Sequence, residues 1–110
     1  MKTEQIDKFK QEIEEEIERR HYNSLVYVLF DESNTAPFAI HIFYRDHLFM
    51  VNSRDDRSYV FGKTFEFTNF LEAKDKFFNL LDFIVREGRR FVAKRGSYMY
   101  SSPLWDDATE

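Results

Sequence analysis

The chain has 110 residues, 43% of them hydrophobic and 33% charged, with a net charge of −4 and no cysteine, which describes one globular domain able to fold without covalent staples. The missing cysteine excludes disulfide frameworks, thiol nucleophiles and thiolate zinc sites, and 3 glycines leave no material for a glycine-rich phosphate loop. The acidic balance argues against nucleic acid or an anionic membrane as a general partner and admits a basic protein.

Between residues 3 and 20, Ile6, Phe9, Ile13 and Ile17 recur every three or four positions with glutamates between them, predicting an amphipathic helix capped by Thr3 and closed by Arg19 and Arg20. Residues 25–30 are apolar throughout, rich in β-branched and aromatic side chains, and predict a strand buried on both faces. Turn formers follow, up to Pro37. Residues 38–44 and 47–52 predict a hairpin turning at Arg45-Asp46, with Tyr44 opposite His47. Ile40, Ile42, Tyr44, His47, Phe49 and Val51 then share one face, and Ala39, His41, Phe43, Leu48 and Met50 the other. After the charged connection 54–57, residues 59–67 alternate as a fourth strand with Tyr59, Phe61, Phe65 and Phe67 inward. A second helix starts at Asn69, where Asn69 and Glu72 form a capping box, and runs to a glycine stop at Gly88, with residues 89–95 as a possible extension. Residues 96–110 lack periodicity and read as a tail.

One domain over 1–95 with a tail over 96–110 is therefore expected. It is a two-layer α+β fold of order α-β-β-β-β-α, a four-stranded antiparallel sheet with both helices on one face. The expected core is Ile6, Phe9, Ile13, Ile17, Val26, Val28, Ile40, Ile42, Phe49, Phe61, Phe65, Phe67, Phe77, Leu80, Leu81 and Ile84. No apolar run approaches the ~20 residues of a membrane helix, and the first residues do not read as a signal peptide, so a cytoplasmic protein is expected.

The residues offer no assembled chemistry. His21, His41 and His47 fall on different elements without a second metal-ligand residue at a binding spacing, and no serine sits in a nucleophile elbow. Glu72-Ala73-Lys74 has the spelling of a nuclease Glu-x-Lys, but a helix points the two side chains about 200° apart. No enzyme activity, cofactor or metal is expected.

The run 51–81 resembles immunity protein 59, a family of small cytoplasmic antitoxins of bacterial polymorphic toxin systems. The resemblance rests on the Asp56-Arg57-Ser58 turn, Gly62 in mid-strand, Phe65-Glu66-Phe67, Asn69-Phe70 with Glu72-Ala73, and Phe77 with Leu80-Leu81. With the preceding helix and strands it spans residues 4 to 90, and the family pattern is expected to end after Arg90. It implies a non-enzymatic protein that binds a cognate secreted toxin and blocks it in the producing cell. The alternative is an acidic inhibitor from a phage or mobile element that mimics nucleic acid; a third reading is a small hydrolase or transferase.

Three surfaces are candidates for the partner. Glu12, Glu15, Glu16 and Glu18, beside the turn at Asp55 and Asp56, form an acidic plug for a basic cleft. The sheet face with His41 and Phe43 is too apolar for free exposure and calls for a toxin, a second copy as in a homodimer, or the chain's own tail to cover it. Tyr98, Tyr100 and Trp105 are rings of the kind that anchor interfaces.

Overall fold

A computed structural model describes residues 1–109 and orders them as α1 (Thr3–Arg19), β1 (Tyr27–Leu29), β2 (Ile40–Arg45), β3 (Leu48–Arg54), β4 (Val60–Phe67), α2 (Phe70–Arg95) and a 3-10 helix (Pro103–Thr109). The strands lie in sequence order in one sheet. It is mixed: β1 runs parallel to β2, with Tyr27 opposite Ile40, while the β2–β3 and β3–β4 pairs are antiparallel. The α-β-β-β-β-α order stands, and the expected all-antiparallel sheet is corrected at β1.

Local chemistry moves several boundaries. The hairpin turns at Asp46-His47, whose φ of 54° and 66° suit a primed two-residue turn. Arg45 therefore faces Leu48, and Tyr44 faces Phe49, not His47. Ile40, Ile42, Tyr44, Phe49 and Val51 keep the predicted shared face, and His47 leaves it for the turn. Helix α1 is capped by the backbone of Lys2 rather than the side chain of Thr3. Helix α2 begins as expected, with Asn69 accepting from the Glu72 backbone N–H and donating to its carboxylate, both at 2.9 Å. It passes straight through Gly88 and stops at Gly96, where φ is 83°.

The two helices run side by side in the same direction. Phe9 stacks on Phe70 at 4.0 Å, Lys74 reaches Glu12 at 3.2 Å, and Arg20 reaches Asp82 at 3.2 Å. Both lie on the same sheet face, because the Phe49 ring meets Phe9 at 5.6 Å and Phe70 at 5.8 Å. Ile13, Ile17, Ile40, Ile42, Val51, Phe77 and Leu81 fill the core between them. Of the expected core, Ile6, Phe9, Val26, Phe65, Phe67, Leu80 and Ile84 are half-buried and Phe61 is exposed; Leu25, Phe70, Ala73, Phe78 and Val85 are buried in addition.

On the opposite sheet face His41, Phe43, Met50 and Asn52 are buried within the chain itself. The β1–β2 connection over residues 30–39 reaches this face: Glu32 accepts two bonds from Arg45, at 3.0 and 2.7 Å, and the Arg45 guanidinium sits 5.3 Å from the centre of the Phe43 ring.

The tail packs elsewhere. Trp105, 4% exposed, lies against Gly88, where a Cβ would run into its ring. Its indole N–H donates to the Tyr100 carbonyl at 2.7 Å, and Arg89 Nε donates to the Leu104 carbonyl at 2.9 Å. The Tyr100 hydroxyl accepts from the Val26 N–H at 3.3 Å, and Ser24 and Ser102 hydroxyls meet at 2.8 Å. Residues 97–105 thus clamp the segment leading into β1, at Ser24 and Val26, to the second half of α2.

Candidate partner-binding groove

Strand β4 is an edge of the sheet, and its first half breaks register with β3. Val51 pairs with Phe65 but Ser53 pairs with Phe61, so extra β4 residues bulge around Gly62, whose φ is 80°. The bulge keeps Phe61 on the helix side, beside the groove rather than in the core. Between this part of β4 and the flank of α2 bearing Leu80, Phe83 and Phe91 lies a groove of about 890 Å³, closed at one end by Tyr98 and Met99. Phe61 is 70% exposed and Phe83 48%. Large apolar side chains left wet together in a concavity mark a contact surface more often than they mark slack packing.

Two cations that line the groove lie on its rings, Lys63 at 5.2 Å from the Phe65 ring centre and Arg95 at 5.2 Å from Phe91. Lys76, 4.0 Å from the Phe65 centre, and Arg86, 5.9 Å from Phe83, touch the same set of rings without lining the groove. Among the described residues none of these four has a carboxylate within salt-bridge distance. The groove is lined by carboxylates as well, Asp55, Asp56 and Glu87, the last of which Arg90 engages at 2.9 Å.

The acidic candidates are differently placed. Glu12 is bonded to Lys74, and Glu16 is bonded to Arg19 and, at 2.7 Å, to Arg20. Those two arginines hold the Glu16 carboxyl at about 2, well below the usual carboxylate range. Glu15 meets Gln11 at 3.4 Å, and Glu18 is exposed. Asp55 organises the β3–β4 turn, accepting the N–H groups of Arg57 and Tyr59 at 2.9 and 3.0 Å, while Asp56 is exposed. Helix α1 meets α2 at Phe70, Lys74, Phe78 and Asp82, whereas Asp55 and Asp56 share the groove with Leu80, Phe83 and Glu87. At about 100° per residue these positions are opposite flanks of α2. The acidic helix and the Asp55-Asp56 turn are not adjacent.

His41 and Phe43 are enclosed, Tyr98 borders the groove, and Tyr100 and Trp105 serve the tail clamp. Among the described residues neither ring nitrogen of the fully buried His41 has a hydrogen-bond partner. Burial first, and Arg54 second, push its pKa down to about 4 against the opposing charge of Asp31, so the ring is neutral near pH 7. Among the described residues no group of three His, Asp or Glu converges on a metal-sized site, and no helix is long and apolar enough to cross a membrane.

Sequence reasoning placed Phe61 in the core and passed over Phe83, Phe91 and Met99. A signal was present: Phe83, Glu87, Phe91 and Arg95 form an i, i+4 row of alternating rings and charges, to one side of the core seam at Phe77, Leu81 and Val85.

Against family models, immunity protein 59 matches residues 6–106. The chain belongs to the immunity protein 59 family. Comparison with curated proteins and with solved structures gives no match. The family match runs through Trp105, so the expected end of the pattern after Arg90 is overturned. In this immunity protein 59 chain the clamp built on Gly88 and Trp105 falls inside the matched region along with the groove.

Proposed function

We propose that the chain is a non-enzymatic antitoxin of a bacterial polymorphic toxin system, acting in the cytoplasm of the producing cell by binding a cognate secreted toxin and blocking it until export. The observation that carries this reading is the family match over residues 6–106. The open aromatic groove supports it, because it offers a protein partner exposed rings around which a desolvated contact can form. Reading the chain as a nucleic acid mimic is weaker, since Glu12 and Glu16 already spend their charge on Lys74, Arg19 and Arg20.

The test is co-expression with the toxic domain encoded beside this gene. Growth rescued by the chain, together with a stable complex on gel filtration, is the expected result. Equal killing with and without the chain overturns the reading for that pair.

A further inference from the structure

The loop between α2 and the 3-10 helix curls around a second concavity, of about 710 Å³, which borders the groove at Ser97, Tyr98 and Met99. Tyr98, Tyr100 and Trp105 form its aromatic wall, with Trp105 edge-on to Tyr98 at 5.3 Å and tilted against Tyr100 at 5.8 Å. Val92 and Gly96 line it too, so the last carbonyls of the 26-residue helix α2, the negative pole of its dipole, lie at the edge. Among the described residues Asp106 is the one charged residue of the lining; it is exposed and has no ion pair. Lys94 and Arg95, in the last turn of α2, do not line the pocket, and Arg95 is drawn to Phe91 on the groove side. Arg89, also outside the lining, donates to the Leu104 carbonyl. Among the described residues each cation resting on a ring uses a phenylalanine. The two tyrosines and the tryptophan of the pocket carry none, although tryptophan is the best cation acceptor of the three ring types. We infer that this pocket receives the side chain of a lysine or arginine of the partner protein, its stem against the rings and its charge toward Asp106 and the end of α2. The identity of the partner as a toxin rests on the function proposed above; the choice of a basic side chain rests on the pocket.

Charge selects this occupant over others. A carboxylate or a phosphate would meet Asp106 and the negative end of α2 with no cation in the lining to offset them. An aliphatic side chain would fill the space and gain nothing from Asp106. A free amine would forgo the contacts with the adjoining groove that a basic side chain on a longer segment keeps through Tyr98 and Met99. The net charge of −4 on the chain favours the approach of a basic surface as well.

The experiment titrates the full chain and reads the emission of Trp105, the single tryptophan and part of the pocket wall. The probes are capped glycine peptides with one central lysine, arginine, norleucine or glutamate, and tetramethylammonium chloride as a free cation. The lysine and arginine peptides are expected to bind saturably and at least about tenfold more tightly than the norleucine peptide, with the margin shrinking in salt, and the glutamate peptide to bind least. Asp106→Asn should cut that margin several-fold, Asp106→Lys should reverse the order of the lysine and glutamate peptides, and Tyr98→Leu should weaken the two basic peptides. Asp106 is exposed, and circular dichroism checks that the variants fold. Norleucine and lysine peptides bound alike, or an order unchanged in Asp106→Lys, overturns the inference. So does tetramethylammonium that binds more tightly than the lysine peptide, or self-association of the chain abolished by Asp106→Lys. Toxin neutralisation separates the two readings. An Asp106→Lys chain that neutralises as well as the parent defeats the pocket and leaves the antitoxin standing, whereas a parent chain that neutralises nothing but ranks the peptides as expected defeats the antitoxin and leaves the pocket.

Discussion

The two flanks of α2 solve opposite problems with the same residue types. On the α1 side, charges are consumed internally: Arg20 bonds Glu16 and Asp82 and lies 4.5 Å from the Phe78 ring centre, and Tyr22 donates to Asp82 at 2.6 Å. On the β4 side, Lys63 and Arg95 also lie on phenylalanines, but Asp55, Asp56 and Glu87 line the same groove without an ion pair to either of them among the described residues. The first cluster fastens one helix to another, and the second leaves exposed rings and charges of both signs side by side. The numbers of glutamates along α1, which draw the eye in the sequence, mark the flank that is already closed.

If this contrast is right, substitutions should divide by flank, with the shared core between them giving the largest effect. Phe77 is fully buried beneath both flanks, so Phe77→Ala should cost about 3–5 kcal/mol in a urea melt and loosen both together.

Next comes acid. The His41 pKa lies near 4 in the fold against about 6.5 unfolded. The unfolded chain therefore binds the proton first, and stability falls as pH drops from about 6.5 to about 4, by up to ~3 kcal/mol. His41→Leu should flatten that slope, while the fall assigned to Glu16, between 4.5 and about 2, should persist. Melts across pH resolve the two windows.

Gly88→Ala puts a methyl group into the Trp105 ring and should cost roughly 1–3 kcal/mol. The tryptophan emission should shift to the red as the clamp lifts, opening the end of the groove at Tyr98 and Met99 while α1 stays docked. Asp82→Asn removes the carboxylate shared by Arg20 and Tyr22 and should cost about 1 kcal/mol, with no change in groove binding. Smallest in stability is Phe61→Ser, within about ±0.5 kcal/mol of the parent, although its effect on partner binding should be the largest of the five.

How far the sequence foretold this depends on which force placed each residue. The seam Ile13, Ile17 and the row Phe77, Leu81 are dictated by helical period and burial, and both were legible. The capping pair Asn69 and Glu72 is local hydrogen bonding and was equally so. Strand direction at β1 was not, because a run of apolar residues has no polarity along the chain, and the crossover over residues 30–39 contains no helix to announce a parallel neighbour. Phe61 shows the limit of alternation, which assigns a side chain to a face but does not say whether anything covers that face there. Gly88 was misread for a related reason. A glycine in a helical pattern signals either an end or a close approach, and only the position of Trp105, 17 residues further on, decides between them.

The clamp that joins Val26 to Tyr100 and Ser24 to Ser102 has a consequence for the order of events at the ribosome. The segment leading into β1 is made early, but the partners that hold it, Tyr100 and Ser102, are made much later. At translation rates of about 5–20 residues per second, that interval is roughly 4–15 s. During it the nascent chain can form α1 and the β2–β3 hairpin, yet the lead into β1 stays unlatched until the tail arrives. Completion of the fold is thus timed by its last-made contacts.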